Sequence, residues 1–268
     1  MIVMYASMAI GMFFINFSKP ENFQPFILIS LFMSLSLVPI LLTKRKAPNF
    51  KKISGMKLKE VYKSSPFGVV SSFLIGISHS AVFSLIAVYA TSMNFSILEV
   101  SIVTFLFAIS GAISQWPIGK LSDVLDRRIV IIYTTFGAAL FCFLAIISSG
   151  QMYMPAGLAT SKLFFYICIM CFSFCSLPMF ALIFAHTNDF IPKEKFVAAG
   201  AGLQFVFGLG AICGPFMCSL FMEFLGENGF FIFLIIFHSF IGLFGIYRMQ
   251  IRESGDCLLY TSDAADET

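Results

Sequence analysis

Long apolar segments alternate with short polar connections along the whole chain. The eight apolar segments are 2–17, 25–42, 66–90, 98–118, 129–150, 163–185, 196–222 and 229–247. A helix needs about 20 apolar residues to cross roughly 30 Å of hydrocarbon, and only the first two segments are slightly short. The segments are continuously apolar, whereas the strands of a membrane barrel alternate between polar and apolar residues. The pattern therefore predicts an all-α membrane protein with eight transmembrane helices.

The composition supports the same class. Hydrophobic residues make up 59% of the chain and charged residues 12%, with a mean hydropathy of +0.92. This leaves too little polar surface to cover a water-soluble globule, and it excludes a soluble enzyme or a soluble binding module. Membrane lipid is therefore an expected partner of the chain.

The basic residues fall almost entirely on one side of the predicted membrane. Of the 17 Lys and Arg residues, only Lys19 and Lys162 lie on the other side. The basic side carries Lys44, Arg45, Lys46, Lys51, Lys52, Lys57, Lys59, Lys63, Lys120, Arg127, Arg128, Lys193, Lys195, Arg248 and Arg252. Because cytoplasmic loops carry an excess of Lys and Arg, this asymmetry predicts that both native termini are cytoplasmic. The positive charge then reflects topology, and no nucleic-acid partner is expected.

The polar segment 44–64 divides the chain. We predict that residues 1–43 form two helices of one bundle and that 65–252 form a six-helix bundle with short connections. Segment 44–64 is either a cytoplasmic linker between the bundles, which we favour, or a dock for anionic lipid with a short apolar face. That face would consist of Ile53, Met56, Leu58 and Val61.

Both ends of the chain are atypical. Residues 257–267 resemble the translation of a transposase-type sequencing adapter, so we treat 253–268 as a non-native tail; a native disordered acidic tail is the alternative. At the other end, Met1 lies inside an apolar run without the basic region of a signal peptide. We therefore expect that sequence is missing upstream of Met1.

The connection between the fourth and fifth segments contains the most specific motif. The motif residues are Gly119, Asp123, Arg127 and Arg128, whereas Val124 and Asp126 stand where a basic residue and a glycine are usual. This spacing resembles the signature loop of the major facilitator superfamily. Gly119 would let a turn close at the membrane edge, and Asp123 would cap the next helix or pair with Arg127 or Arg128. An ordinary basic turn is the alternative.

The resemblance implies a fold and a function. Members of the family have twelve helices in two halves, so the eight segments would be helices five to twelve of an incomplete fold with one complete six-helix C-terminal bundle. It further implies a secondary active transporter of a small molecule, with the signature loop latching one conformational state. The run 185–189 looks like that of bacterial members, which implies the inner membrane. We expect a monomer and no enzymatic activity.

Small residues in the seventh segment suggest close helix packing. Gly210 and Gly214 lie four residues apart on one helix face, and Pro215 follows. Glycines at this spacing let a neighbouring backbone approach, while proline permits a bend. This element resembles one that antiporters of the family carry in another helix. We favour packing as its role.

Three polar residues are candidates for a substrate or proton path: His79, Gln115 and Gln204. An ionisable group at membrane depth is costly unless it faces a cavity or a partner, and imidazole titrates near neutral pH. A neutral histidine bonded to a serine across a helix interface is the alternative, as are structural glutamine hydrogen bonds. Protons are thus possible co-substrates. No cofactor and no metal site is predicted, although a scaffold, a sensor or a redox protein using His79 and His238 stays open as a rival.

Overall fold

The structure is a computed structural model, and it describes residues 1–17, 22–43, 55–148 and 162–251. The predicted tail 253–268 and residues 44–54 of the basic segment lie outside the described residues. Throughout the described ranges the regular structure is helical, which confirms the all-α class. The α-helices are α1 (Ile2–Gly11), α2 (Gln24–Leu41), α3 (Leu58–Ser64), α4 (Pro66–Ser92), α5 (Ile97–Val124), α6 (Arg127–Ser148), α7 (Lys162–Ser176), α8 (Met179–Asn188), α9 (Phe196–Leu225) and α10 (Gly229–Ile251).

Seven of the eight predicted spans are confirmed as helices long and apolar enough to cross a membrane. The first is shorter, because α1 ends at Gly11 and the chain continues as a 3₁₀-helix over Met12–Phe17. Within that 3₁₀-helix the Asn16 side chain donates a hydrogen bond to the Phe13 carbonyl. Asparagine side chains that bond to nearby backbone compete with the regular α-helical pattern.

The sixth predicted span is interrupted near its middle. Instead of one helix over 163–185, α7 ends at Ser176 and α8 begins at Met179, with Leu177 and Pro178 between them. Proline cannot donate a backbone hydrogen bond, and its ring clashes with the preceding turn. The interruption exposes backbone carbonyls inside the bundle, where other side chains must bond to them.

The segment after the basic linker packs as one bundle. Helix α4 contacts α9 and α10, while α6 packs against α7, α8 and α10. At one end of the core, Tyr89 stacks on Phe165 and Phe230 at ring separations of 6.0 and 5.3 Å. Interlocking aromatic pairs of this kind add to the stability gained from burial. This core fixes the relative register of α4, α7 and α10, which carry the histidines described below.

The first two helices join the bundle through α5. Helix α1 packs along α5, and Asn16 donates a hydrogen bond of 2.9 Å to the Ser101 hydroxyl. Helix α2 has no buried residue and touches its neighbours at the Phe14–Phe32 ring pair. Large apolar side chains also face outward from α9, where Ile212 is 76% exposed. An apolar exterior of this extent fits lipid as the surrounding solvent.

Candidate functional site

Three helix ends meet around Arg127 at the basic end of the bundle. The Arg127 Nη2 atom lies 3.2 Å from Asp123 Oδ1 at the end of α5, and Nε lies 3.0 Å from Asp189 Oδ2 just after α8. The Arg127 side chain is 9% exposed, that of Asp189 15% and that of Asp123 53%. A single buried guanidinium therefore joins the ends of α5 and α8 to the first turn of α6.

Arg128 and Asp126 form a second pair beside the first. The Asp126 carboxylate accepts bonds from Arg128 Nη2 at 2.7 Å and from Arg128 Nε at 3.2 Å. It also accepts a bond of 2.9 Å from the Arg128 backbone N–H, so Asp126 caps the N-terminus of α6. A carboxylate in this position also interacts favourably with the positive end of the helix dipole.

Two of the three carboxylates that meet these arginines, Asp189 and Asp126, have pKa values shifted in opposite directions. Burial raises the pKa of Asp189 from its ordinary 3.8 to about 6. The Arg127 guanidinium opposes this rise, whereas the nearby carboxylates of Asp126 and Asp123 add to it. Burial also opposes the ionisation of Asp126, but the side-chain and backbone hydrogen bonds of Arg128 outweigh it and lower the Asp126 pKa. Asp189 is thus the member of the cluster that gains a proton in mildly acidic conditions.

Two of the expectations for the signature residues need comment: the turn at Gly119 and the role of Asp123. The turn predicted at Gly119 is wrong, because α5 continues to Val124 and Gly119 lies inside the helix with open space beside it. Two roles were considered for Asp123, and in the structure it forms the ion pair with Arg127. The cap of α6 is provided by Asp126 instead. Asp126 occupies the position where the family pattern has glycine. An aspartate directly before a helix start was the sequence signal for this cap.

His79 and His238 meet at Ser176, where α7 stops. His79 Nε2 lies 3.1 Å from the Ser176 carbonyl oxygen, and His238 Nε2 lies 2.9 Å from the Ser176 hydroxyl. On its other side, His238 Nδ1 lies 2.9 Å from the Leu234 carbonyl and 3.3 Å from the Ser78 hydroxyl. Side chains of α4 and α10 therefore meet the interruption between α7 and α8.

For the neutral form of each imidazole, these contacts define which ring nitrogen carries the proton. A carbonyl only accepts, so His79 carries its proton on Nε2 and His238 carries its proton on Nδ1. The Ser176 hydroxyl then donates to His238 Nε2. His79 is 3% exposed and His238 fully buried. His79 packs edge-on against Phe83 and Phe207, so in this conformation the network is closed to water.

The two glutamines proposed for the path lie apart from this network. Gln115 Nε2 donates a bond of 3.4 Å to the Gly111 carbonyl of its own helix, and Gln204 is exposed on α9. Among the described residues no hydrogen bond joins either of them to His79. His238, in contrast, is part of the network, although in the sequence it is only one of several polar residues in an apolar run.

The glycines of α9 lie against α4. A side chain at Gly210 would overlap the Phe73 backbone, and one at Gly214 would overlap the Ile77 carbonyl and the Ser80 hydroxyl. Gly76 of α4 has the same relation to the Phe207 backbone. Helix α9 runs unbroken through Pro215. The two helices therefore touch backbone to backbone directly beside His79.

The described residues contain no group of three or more His, Cys, Asp or Glu side chains with metal-binding geometry. Three cysteines of α7 are free thiols: Cys168, Cys171 and Cys175. Cys168 packs in the main apolar core.

Comparison with known proteins identifies the family to which this chain is similar. The family model of the Major Facilitator Superfamily matches residues 1–155 and, again, residues 68–255. The chain is 26% identical over 246 residues to YfkF of Bacillus subtilis, covering 88% of this chain and 59% of YfkF. It is 23% identical over 194 residues to YE1530 of Yersinia enterocolitica, covering 72% of this chain and 46% of that relative.

A third relative, YcaD of Escherichia fergusonii, is 19% identical over 250 residues, covering 92% of this chain and 62% of YcaD. All three are described as uncharacterized MFS-type transporters. The chain thus spans about half the length of the curated relatives that it matches. No solved structure matches it significantly.

Proposed function

This chain belongs to the major facilitator superfamily, and from that premise we propose that it works in a secondary active transporter that moves a small molecule by alternating access. Family membership makes it a multi-pass membrane protein of a transporter class. Because the chain spans about half of its relatives, the transport cycle is proposed for the carrier that includes it. We further propose that this carrier is a monomer in a bacterial plasma membrane, driven by a proton or solute gradient, with its basic end in the cytoplasm.

The observation that carries this proposal is the double engagement of Arg127. One guanidinium binds Asp123 on α5 and Asp189 after α8, so sliding of either helix end breaks one ion pair while the other persists. Charge pairs of this kind have discrete bound and broken arrangements, which suits a two-state element. In our proposal, Arg127 holds one conformation while the bundle of residues 65–252 rocks against the other half of the carrier.

The interruption at Ser176 supports a second part of the proposal. Transporters commonly place substrate and ion sites near the membrane midplane at discontinuous helices. His79 lies in the middle of α4 and bonds to the carbonyl that ends α7. We propose that His79 belongs to the substrate or proton path, with Gln115 and Gln204 as polar residues exposed to it in another conformation.

A pair of substitutions at His79 tests its role. His79→Gln keeps an N–H donor for the Ser176 carbonyl but cannot titrate, whereas His79→Leu removes both properties. The complete reading frame is expressed in bacteria, and gradient-dependent flux across a small-molecule library is measured between pH 5 and 8. A proton-carrying His79 predicts that both variants lose the pH dependence. If His79→Gln keeps wild-type flux and pH profile while His79→Leu loses flux, the histidine is structural.

The same assay tests transport itself. Wild-type cells should show flux that a protonophore or removal of the driving solute abolishes, and Arg127→Gln should reduce it. A matched control is Lys120→Gln, which removes one positive charge at the same end of α5 without touching the Arg127 ion pairs. No gradient-dependent flux of any compound by the complete carrier would count against secondary transport.

A further inference from the structure

A second basic cluster lies at the same end of the bundle and takes no part in the Arg127 ion pairs. It forms a small pocket lined by Arg128, His186, Arg248, Phe67 and Ser65. These residues come from the ends of four helices: the start of α4, the start of α6, the end of α8 and the end of α10. We call this cluster the basic pocket.

The charge of the basic pocket favours an anion. Arg128 is paired with Asp126, so that pair is close to neutral. No ion pair among the described residues includes Arg248, so Arg248 adds a positive charge that no described carboxylate within 4.0 Å offsets. The His186 ring is held edge-on between Phe67 and Phe190 at separations of 5.2 and 5.0 Å. Two guanidinium groups beside one opening are typical of phosphate recognition.

A largely apolar groove lies between α6 and α10, the helices that carry Arg128 and Arg248. It has a volume of about 460 Å³ and is lined by Ile129, Ile132 and Tyr133 of α6 and by Ile246, Met249 and Gln250 of α10. Ile129 directly follows Arg128, and Met249 directly follows Arg248. The enclosed part of the basic pocket is only about 20 Å³, enough for a water molecule, so a larger anion would sit at its mouth.

Two exposed tyrosines lie in or next to the groove. Tyr133 is 75% exposed and the neighbouring Tyr247 is 56% exposed, although both lie on apolar helices. Tyrosines are enriched where the headgroups meet the hydrocarbon, because the ring is apolar and the hydroxyl is polar. Tyr133 lines the groove and Tyr247 directly precedes Arg248, so the arginines, the tyrosines and the groove share the same turns of α6 and α10.

We propose that this surface binds one anionic phospholipid, with its phosphate at Arg248 and Arg128 and an acyl chain in the groove between α6 and α10. We choose a lipid rather than free phosphate because a largely apolar groove is lined by Ile129 and Met249, the residues that directly follow Arg128 and Arg248. Arg128 is next to Arg127 in the chain, so the bound headgroup lies beside the proposed latch. Binding is measured without transport, and its failure would leave the proposed transport function standing.

The test is titration of the purified full chain with phosphatidylglycerol or phosphatidylcholine, read by native mass spectrometry. Wild-type protein should retain one phosphatidylglycerol more tightly than phosphatidylcholine. Arg248→Gln should weaken phosphatidylglycerol binding about fivefold, the equivalent of about 1 kcal/mol for one cation near an anionic surface. Lys120→Gln is the matched control, since it removes one charge from the same membrane side outside the site, and it should leave binding unchanged. Ile246→Trp, which fills the groove, should weaken both lipids.

Three results would overturn the proposal. Equal retention of the two lipids by wild-type protein would do so without any variant, so a misfolded Arg248→Gln protein does not prevent the test. Equal weakening by Arg248→Gln and Lys120→Gln would show only general attraction between basic residues and anionic lipid. Displacement of the lipid by millimolar inorganic phosphate, with no effect of Ile246→Trp, would assign the basic pocket to free phosphate.

Discussion

Replacing Arg127 with Gln tests the ion pairs at the basic end more sharply than replacing either carboxylate. Arg127→Gln leaves the Asp189 carboxylate, 15% exposed, without its counter-charge. Asp189→Asn, in contrast, leaves Arg127 with Asp123 at 3.2 Å. Removing one member of a buried ion pair is costly because the remaining charge stays buried and uncompensated. We therefore expect the two substitutions to have very different effects on stability.

The magnitude follows from the Asp189 pKa of about 6 against its ordinary 3.8. A difference of about two pH units corresponds to about 3 kcal/mol, so ionised Asp189 already destabilises the folded state by roughly that amount at pH 8. Asp189→Asn relieves this penalty and should be no less stable than wild type. Arg127→Gln removes the positive charge that stabilises ionised Asp189, and it should lower the free energy of unfolding by about 3 kcal/mol or more. The Arg127→Gln, Asp189→Asn double variant should recover most of that loss.

The pH dependence has a definite sign. The folded state holds the Asp189 proton up to about pH 6, whereas the unfolded chain releases it near pH 3.8. The folded state therefore binds more protons in this window, and the contribution of Asp189 to stability falls as the pH rises from about 4 to 6. The lowered pKa of Asp126 acts only below pH 3.8, outside this window. Asp189→Asn should remove the Asp189 contribution, and the defect of Arg127→Gln should shrink at pH 5.

Thermal unfolding in detergent micelles at pH 5 and pH 8 measures these differences. A loss of about 3 kcal/mol corresponds to a midpoint shift on the order of 6–12 °C for a chain of this size. Asp123→Asn is the control, because that side chain is 53% exposed and its pair should contribute little. An Asp189→Asn protein as unstable as Arg127→Gln at pH 8 would refute the reasoning, since Asp189 would then stabilise the fold as an anion.

Further substitutions probe the other contacts. Gly210→Ala should destabilise the protein by about 1–3 kcal/mol because its methyl group would overlap the Phe73 backbone. Gly208 faces open space, so Gly208→Ala is the control and should be neutral or slightly stabilising. Equal unfolding midpoints for the two variants would contradict close α4–α9 packing. Asp126→Ala should cost about 1 kcal/mol through loss of the α6 cap, measured by the same melts, and no change would argue against the cap. Ser176→Ala should lower the midpoint by leaving His238 Nε2 without its donor, while an unchanged midpoint would contradict that bond.

The spans were predictable from sequence because each depends on local apolarity. A run of about 20 apolar residues has only a helical solution in lipid, so α4, α5, α6, α9 and α10 follow directly from composition. The interruption at Pro178 was missed although the proline is visible in the run, because hydropathy alone does not register a missing backbone donor. The short first helix was likewise hidden, since its residues are as apolar as those of a full span.

The partners of the functional residues were harder to predict. Asp123 and Arg127 are only four residues apart, so the sequence places them at the same short turn, but α5 ends at Val124 and α6 begins at Arg127, and their pairing depends on how that turn is built. Asp189 is far from Arg127 in sequence, and its position depends on how α8 ends against α6. The meeting of His79 and His238 at Ser176 depends on the register of three helices. Such register is set by packing of the whole core rather than by any local pattern.

The distance between the two halves at the basic end tests the proposed latch most directly. Spin labels at Leu42, directly after α2, and at Lys120, near the end of α5, would report this distance in the complete carrier by pulsed electron paramagnetic resonance. A pair at Lys120 and Lys193, within the bundle of residues 65–252, is the control. If Arg127 holds one conformation, Arg127→Gln should change the ratio of the distance populations for the first pair and leave the control pair unchanged. Identical distributions for wild type and Arg127→Gln would contradict the latch.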